Sequence, residues 1–400
     1  MSKDISKEFK DFEEQKEIEK EQTEEQKNIE EELVIEKEES KEDFIDKSVQ
    51  ISEKLRKDLD IFQKKLIKPN FSDVIVNPDI PTIKTGLTLY DEIIGGVPLS
   101  SIVSLRAEPG VGKTTLMVQL LAAIQKQDVT VLYIDTEGSM SRRRMASLGL
   151  NIDGVIYTQP ESLEQSYKLI YNFIDFKNKN FGEEYPVVIA WDSVSMTPAQ
   201  AEVTGGVDDK SVGLRARVNT KYLPQVNNFL KKYNTTLILI NQLRNKIGGM
   251  ATSWTGPEKD IPGGEILKYA PSQNINLRDG SVNDVKNKLG YSGKIVKVKA
   301  IKNRIADPLR EFPMVFTFEY GFVEDLSLFY LVSTATKDQW KKTPFETPQI
   351  KSGAYWNLFD PEDPDNPIKF RQKDFRKLYN ENERFKELIN LYAKELIKTI

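Results

Sequence analysis

The 400-residue sequence predicts an α/β fold: a mostly parallel central sheet with an antiparallel extension, preceded by a helix and linker and followed by a small C-terminal α+β lobe. Three observations carry it. Between about residues 82 and 333, short runs rich in Val and Ile alternate with stretches of helical periodicity. The first run leads into Glu108-Pro-Gly-Val-Gly-Lys-Thr-Thr115, a glycine-turned loop from which a helix starts. The runs Lys294–Ile301 and Met314–Phe318 follow one another with no helix between them, as in an antiparallel pair.

In chain order, residues 1–48 carry nineteen Asp/Glu against nine Lys and few apolar residues. This segment reads as a disordered arm or a frayed helix, or else as an acidic mimic competing with DNA for a basic groove. In 49–81, Leu55, Leu59, Phe62 and Leu66 predict an amphipathic helix, followed by an extended linker. It could cover its own core or make a contact between protomers. Within 82–333 the predicted strands are Ile102–Arg106, Val129–Ile134, Val155–Tyr157, Val187–Trp191, Thr236–Ile240, Ile275–Arg278 and the two named above. Helices are expected near Thr114–Gln127 and Ser162–Phe176. Residues 334–400 open with Pro and Asp clusters and close on a helix through Phe385, Leu388, Ile389, Tyr392 and Leu396. Nine Lys/Arg against five Asp/Glu in 369–398 suit either a helical cap or an accessory nucleic-acid surface.

Composition narrows the chemistry. The chain has no Cys and no His, which removes disulfides, thiolate nucleophiles, Ser-His pairs and the common transition-metal ligands. Carboxylates, Lys/Arg, hydroxyls and Mg²⁺ remain, a set suited to phosphoryl transfer. No apolar run is long enough to cross a bilayer and no signal-peptide pattern is present, so a soluble intracellular chain with no membrane partner is expected. The net charge of −4 divides into −10 over residues 1–47 and +6 over the rest, compatible with nucleic-acid binding.

The loop from Glu108 through Pro109, Gly110, Val111 and Gly112 predicts a phosphate cradle of backbone N–H groups, with Lys113 on the phosphates and the Thr114 hydroxyl, beside Thr115, on Mg²⁺. About eighty residues later Val187-Val-Ile-Ala-Trp-Asp192 ends a strand in a carboxylate, a second candidate magnesium ligand. Leu132-Tyr-Ile-Asp-Thr-Glu137 ends another, and Glu137 is the candidate general base; Asp135 and Glu137 also suit plain helix capping. Gln242 ends a third, either sensing a γ-phosphate or solvating the strand tip. Two long loops follow these strands. The first, Thr197–Gly213, holds Gly205, Gly206 and Lys210 and leads to Arg215 and Arg217; the second, Leu243–Pro262, holds Gly248, Met250 and Trp254. Loops of this length are uncommon unless functional, and these could form a DNA-facing surface, although Arg215 and Arg217 also suit an ordinary solvated helix start.

In order and spacing these motifs resemble the RecA family of strand-exchange recombinases, most of all its bacterial and phage members, over roughly residues 82–333. Thr85-Gly-Leu-Thr-Leu-Tyr-Asp-Glu-Ile-Ile-Gly-Gly-Val-Pro98 is similar to the family's opening segment, and Thr197-Pro-Ala-Gln-Ala-Glu-Val-Thr-Gly-Gly206 to its first DNA loop. Ile240-Asn-Gln-Leu-Arg-Asn-Lys-Ile-Gly248 with Gly263-Gly-Glu-Ile-Leu-Lys-Tyr269 resembles the second loop, and Lys299-Ala-Ile-Lys-Asn-Arg-Ile-Ala306 the closing strand. The resemblance implies a RecA-like P-loop NTPase core with ATP and Mg²⁺ as cofactors. It places Lys113, Thr114, Asp192 and Glu137 at the phosphate, magnesium and water-activating positions, and Gln242 at the γ-phosphate sensor. Lys302 and Arg304 match cations that reach the ATP of a neighbouring protomer, and Tyr269 an aromatic at the subunit contact. Arg244, Lys246, Gly263 and Gly264 join the DNA-binding set.

The departures are specific. Ala107 replaces the first P-loop glycine, and Arg144 stands where bacterial members have an aromatic that stacks on adenine, a role a guanidinium plane can also fill. The second loop is a few residues longer than the bacterial form, and the acidic stretch is N-terminal rather than C-terminal. The implied function is an ATP-dependent recombinase in the bacterial cytoplasm, host- or phage-encoded. It would form helical filaments on single-stranded DNA, pair it with duplex DNA for recombination and repair, and work with loading or single-strand-binding proteins. The alternatives are a hexameric helicase of the same fold and a non-catalytic DNA-binding recombinase partner.

Overall fold

The computed structural model describes residues 80–400 apart from 139, 206–212, 246–258, 281–288, 290, 346–348 and 353–354. The acidic arm, the helix expected within 49–81 and all of its linker but residues 80 and 81 lie outside the described residues.

A short hairpin of β1 (Thr82–Ile83) and β2 (Val97–Pro98) comes first among the described elements, bridged by helix Thr88–Ile93. The α/β repeat then runs through β3 (Ile102–Ala107), β4 (Thr130–Asp135), β5 (Val155–Thr158), β6 (Val187–Asp192) and β7 (Thr235–Gln242). A two-stranded ribbon, β8 (Arg244–Asn245) and β9 (Lys259–Asp260), follows. Next come β10 (Gln273–Asp279), β11 (Gly293–Lys302), β12 (Glu311–Thr317) and β13 (Gly321–Phe322). The main sheet has the order β13-β12-β11-β10-β3-β7-β6-β4-β5. From β10 to β5 the neighbours are parallel, and β11, β12 and β13 extend the sheet antiparallel.

Helices cover both faces. β4 shows why the residues sort as they do: Val131 and Tyr133 join the apolar cluster on one face, Leu132 and Ile134 the cluster on the other. Strands buried on both sides read as continuous apolar runs, which is why they were visible in the sequence. Helix Lys113–Gln125 packs in the first cluster, and helices Leu163–Phe181 and Leu214–Lys232 in the second. Ser162 caps the second of these by accepting from the Gln165 N–H, and Gly182 ends it at φ 91°.

Residues 334–400 form a three-stranded antiparallel sheet, β14 (Gln349–Ser352), β15 (Tyr355–Asp360) and β16 (Asp363–Arg371), followed by helices Phe375–Glu381 and Glu383–Ile397. Helix Glu324–Thr334 crosses the boundary expected near residue 333. Its Leu326, Leu328, Phe329, Leu331 and Val332 are all buried, so it has no polar stripe to betray helical periodicity.

Candidate active site

The C-terminal ends of β3, β4, β6 and β7 meet at one edge of the sheet, the side where open α/β sheets bind ligands. The pairing register puts Ala107 beside Gln242 and Asp135 beside Asp192. A cleft of about 300 Å³ opens there, lined by Pro109, Gly110, Gly112, Lys113, Thr114 and Thr115 of the loop. Glu137, Met140, Asp192, Ile240, Gln242 and Phe316 complete its wall.

The loop geometry suits an anion. Gly110 and Gly112 have φ of 77° and 116°, and a Cβ on Gly112 would lie 3.2 Å from the Phe316 ring. The backbone angle favours glycine there, and the ring leaves a side chain little room. Val111 is anchored by its buried side chain. Lys113 donates from Nζ to the carbonyls of Ala107 at 3.2 Å and Glu108 at 2.8 Å, so its ammonium bridges the loop. Burial pulls this ammonium below its ordinary pKa, against the pull of Asp192, Glu137 and Glu108.

Asp192 is almost wholly buried. Its Oδ2 accepts from the Thr114 hydroxyl at 2.7 Å and the Tyr133 hydroxyl at 3.3 Å, while Oδ1 is buried with no partner among the described residues. Burial pushes its pKa up to about 7, held down by the Thr114 hydrogen bond and raised further by Glu137 and Asp135. An orphaned carboxylate oxygen beside a threonine hydroxyl fits a hard divalent cation whose other ligands are phosphate oxygens and water. Among the described residues no cluster of three acidic side chains offers an all-protein alternative.

Glu137 is held from two sides. Its Oε1 accepts a hydrogen bond from the Ser193 hydroxyl and another, at 3.1 Å, from the Gln242 side-chain amide. Asp135 is occupied elsewhere: it accepts from the Glu137 and Gly138 N–H groups and from the Tyr157 hydroxyl. It shapes the turn that presents Glu137. The Gln242 N–H donates to the Ser195 hydroxyl at 2.9 Å, and the Ser195 carbonyl accepts from Arg215 at 3.3 Å.

The other sequence-nominated residues lie outside this cleft. Val111 faces the core, and Glu108 is exposed at the start of the loop. Arg144 donates to the Phe318 carbonyl at 2.9 Å and the Glu319 carbonyl at 2.6 Å, which fixes its guanidinium plane against an exposed turn. Lys302 donates to the Tyr269 carbonyl at 2.6 Å, and Arg304 is exposed. Of the loop residues, Arg217, Arg244 and Gly205 are exposed. Arg215 is ion-paired with Glu202 at 2.8 Å. Gly263 and Gly264 pack on helix Leu214–Lys232. Gly206, Lys210, Lys246, Gly248, Met250 and Trp254 lie outside the described residues.

Several participants escaped the sequence reading. Ser193 and Ser195 follow Asp192 at alternate positions, so two hydroxyls at the end of an apolar strand were the available signal. Tyr133 and Glu202 carried none, because their roles depend on partners 59 and 13 residues away.

A family profile described as the RecA N-terminal domain matches residues 57–323. RecA of Borrelia hermsii is 31% identical over 291 residues, 71% of this chain and 76% of its own length. RecA of Borrelia turicatae is 31% identical over the same length, covering 71% and 75%. RecA of Francisella tularensis subsp. novicida is 31% identical over 252 residues, covering 62% and 66%.

Proposed function

The chain belongs to the RecA family, and from that premise we propose that it is a DNA-dependent ATPase that forms helical filaments on single-stranded DNA and catalyses homologous pairing and strand exchange. The observation that carries the reading is the convergence of Lys113, Thr114, Glu137, Asp192 and Gln242 on one cleft at the sheet's C-terminal edge.

The loop N–H groups and Lys113 bind and orient the β- and γ-phosphates. Thr114 and Asp192 would hold Mg²⁺, which would supply neutralisation of the charge that develops during phosphoryl transfer. Glu137, fixed by Ser193 and Gln242, orients a water and takes its proton. Arg144 offers its fixed guanidinium face to the base. Gln242 is the sensor: its amide contacts Glu137, its strand continues into the second DNA loop, and its backbone reaches Arg215 at the end of the first through Ser195.

Lys302 and Arg304 stand away from their own cleft, which supports a role at the ATP of an adjoining protomer. ATP binding and filament growth are then one linked equilibrium. Exposed Arg217 and Arg244, with the loop residues they flank, face the phosphates of single-stranded DNA, and duplex DNA is the second substrate.

The test compares ATP hydrolysis with and without single-stranded DNA for wild type and Glu137→Gln, with particles imaged by negative stain. DNA-stimulated turnover on helical filaments in wild type is expected. The variant should lose at least about a hundredfold in turnover, the scale of a general base, while still assembling. Closed rings, or wild type without turnover, would overturn the proposal.

A further inference from the structure

Lys294, the second residue of β11, is buried in a place that nothing in its local sequence explains. Its Nζ donates to the Gly110 carbonyl of the phosphate loop at 2.7 Å, across 184 residues of sequence. The same ammonium lies 2.7 Å from Asp279 Oδ1 at the end of β10 and 5.7 Å from the centre of the Phe316 ring. Phe316 is also the ring that fills the space a Gly112 side chain would need. The antiparallel extension therefore presents an aromatic floor and a cation to the loop.

A phosphate-binding loop turns its N–H groups inward, leaving carbonyls to face away from the ligand. A cation on one of those carbonyls polarises the peptide unit that carries it, and the N–H of that unit, here from Val111, becomes a stronger donor toward the anion. The aromatic floor limits water around the ammonium, so screening is weaker than at a surface pair.

We propose that Lys294 is a positioning residue of the phosphate loop, setting its affinity for nucleotide phosphates from behind through the Gly110 carbonyl; this rests on the nucleotide-binding reading above. Asp279 is half-exposed and shares the same ammonium, so it draws part of the charge away from the loop. A scaffolding role, with the Lys294–Asp279 pair merely holding β10 to β11, requires both partners equally. A loop-polarising role requires only the lysine.

The experiment is equilibrium binding of a fluorescent ADP analogue with Mg²⁺ to full-length wild type, Lys294→Met, Lys294→Arg and Asp279→Asn, with circular dichroism confirming the fold of each. Lys294→Met is expected to weaken binding about tenfold, the scale of one charge-assisted hydrogen bond. Lys294→Arg should restore most of it, and Asp279→Asn should bind as tightly as wild type or more tightly. Equal losses in Lys294→Met and Asp279→Asn would overturn the proposal in favour of scaffolding, and so would wild-type affinity in Lys294→Met. Wild type that binds no ADP at all would overturn the nucleotide-binding reading itself, a result distinct from either.

Discussion

Glu324 occupies the first position of helix Glu324–Thr334, with Oε1 accepting from the Thr88 N–H at 3.0 Å and Oε2 buried without a partner among the described residues. A helix start favours a carboxylate by about 0.3–1 kcal/mol. Burial outweighs that and the Thr88 hydrogen bond, and with Asp91 and Asp325 nearby it pushes the carboxyl from its ordinary 4.5 up to about 7. The folded protein therefore holds a proton here that the unfolded chain releases between those two values. Stability from this group is full below about pH 4.5, falls as the pH rises, and is lost above about pH 7. Glu324→Gln keeps the acceptor for Thr88 and cannot ionise. Urea denaturation should find the variant more stable than wild type at pH 8, with the margin shrinking toward pH 5; a loss of equal size at both would count against this account. Such a group is invisible in sequence, because what shifts it is burial, and its one hydrogen-bond partner, Thr88, lies 236 residues away. Lys113, Thr114, Asp192 and Gln242 are legible for the opposite reason: loop spacing and strand ends place them at the sheet edge whatever else packs nearby.

Among the elements, the end of the second long loop is held closely against a helix. Asn219 of helix Leu214–Lys232 donates to the Gly263 carbonyl at 2.8 Å and accepts from the Tyr167 hydroxyl at 2.9 Å. Gly264, at φ 100°, lies so close to the same helix that a Cβ would sit 2.8 Å from the Ala216 side chain and 3.0 Å from its backbone. That helix starts at Leu214, just after the first long loop, so the glycine pair ties the end of the second loop to the element that follows the first. Gly264→Ala is expected to cost about 1–3 kcal/mol, the usual range for forced overpacking, and to remove most of the stimulation of hydrolysis by single-stranded DNA. Denaturation curves and ATPase assays with and without DNA check both, and an unstrained, fully stimulated variant would refute the coupling. The strands of the α/β repeat were readable because apolar runs end at turns. Helix Glu324–Thr334 was not, because an element buried on every side leaves no period to detect.

At the scale of the whole molecule, one apolar cluster runs from Leu116 and Leu120 of the phosphate-loop helix through Phe312 and Phe329 to Phe375, Phe385 and Leu396 near the C-terminus. Phe329 stacks on Phe375 with ring centres 4.3 Å apart, and Phe385 packs edge-on to Phe370 at 5.0 Å. Polar ties reinforce the seam: Arg376 pairs with Asp325 at 2.9 Å, and Arg310 donates to the Ile397 carbonyl at 2.6 Å. Pro and Asp clusters after residue 333 mark turns in the sequence, but a turn signal carries no information about whether the apolar faces on its two sides meet. Here they do, so residues 334–400 and the RecA-like core should unfold together. Phe385→Ala removes a fully buried ring, a change that typically costs about 3–5 kcal/mol. Calorimetry should then show one transition moved to lower temperature, with nucleotide-binding capacity lost across that same transition. Two transitions, the upper one unmoved by the substitution and tracking nucleotide binding, would mean that the C-terminal segment folds by itself and lends the active site nothing.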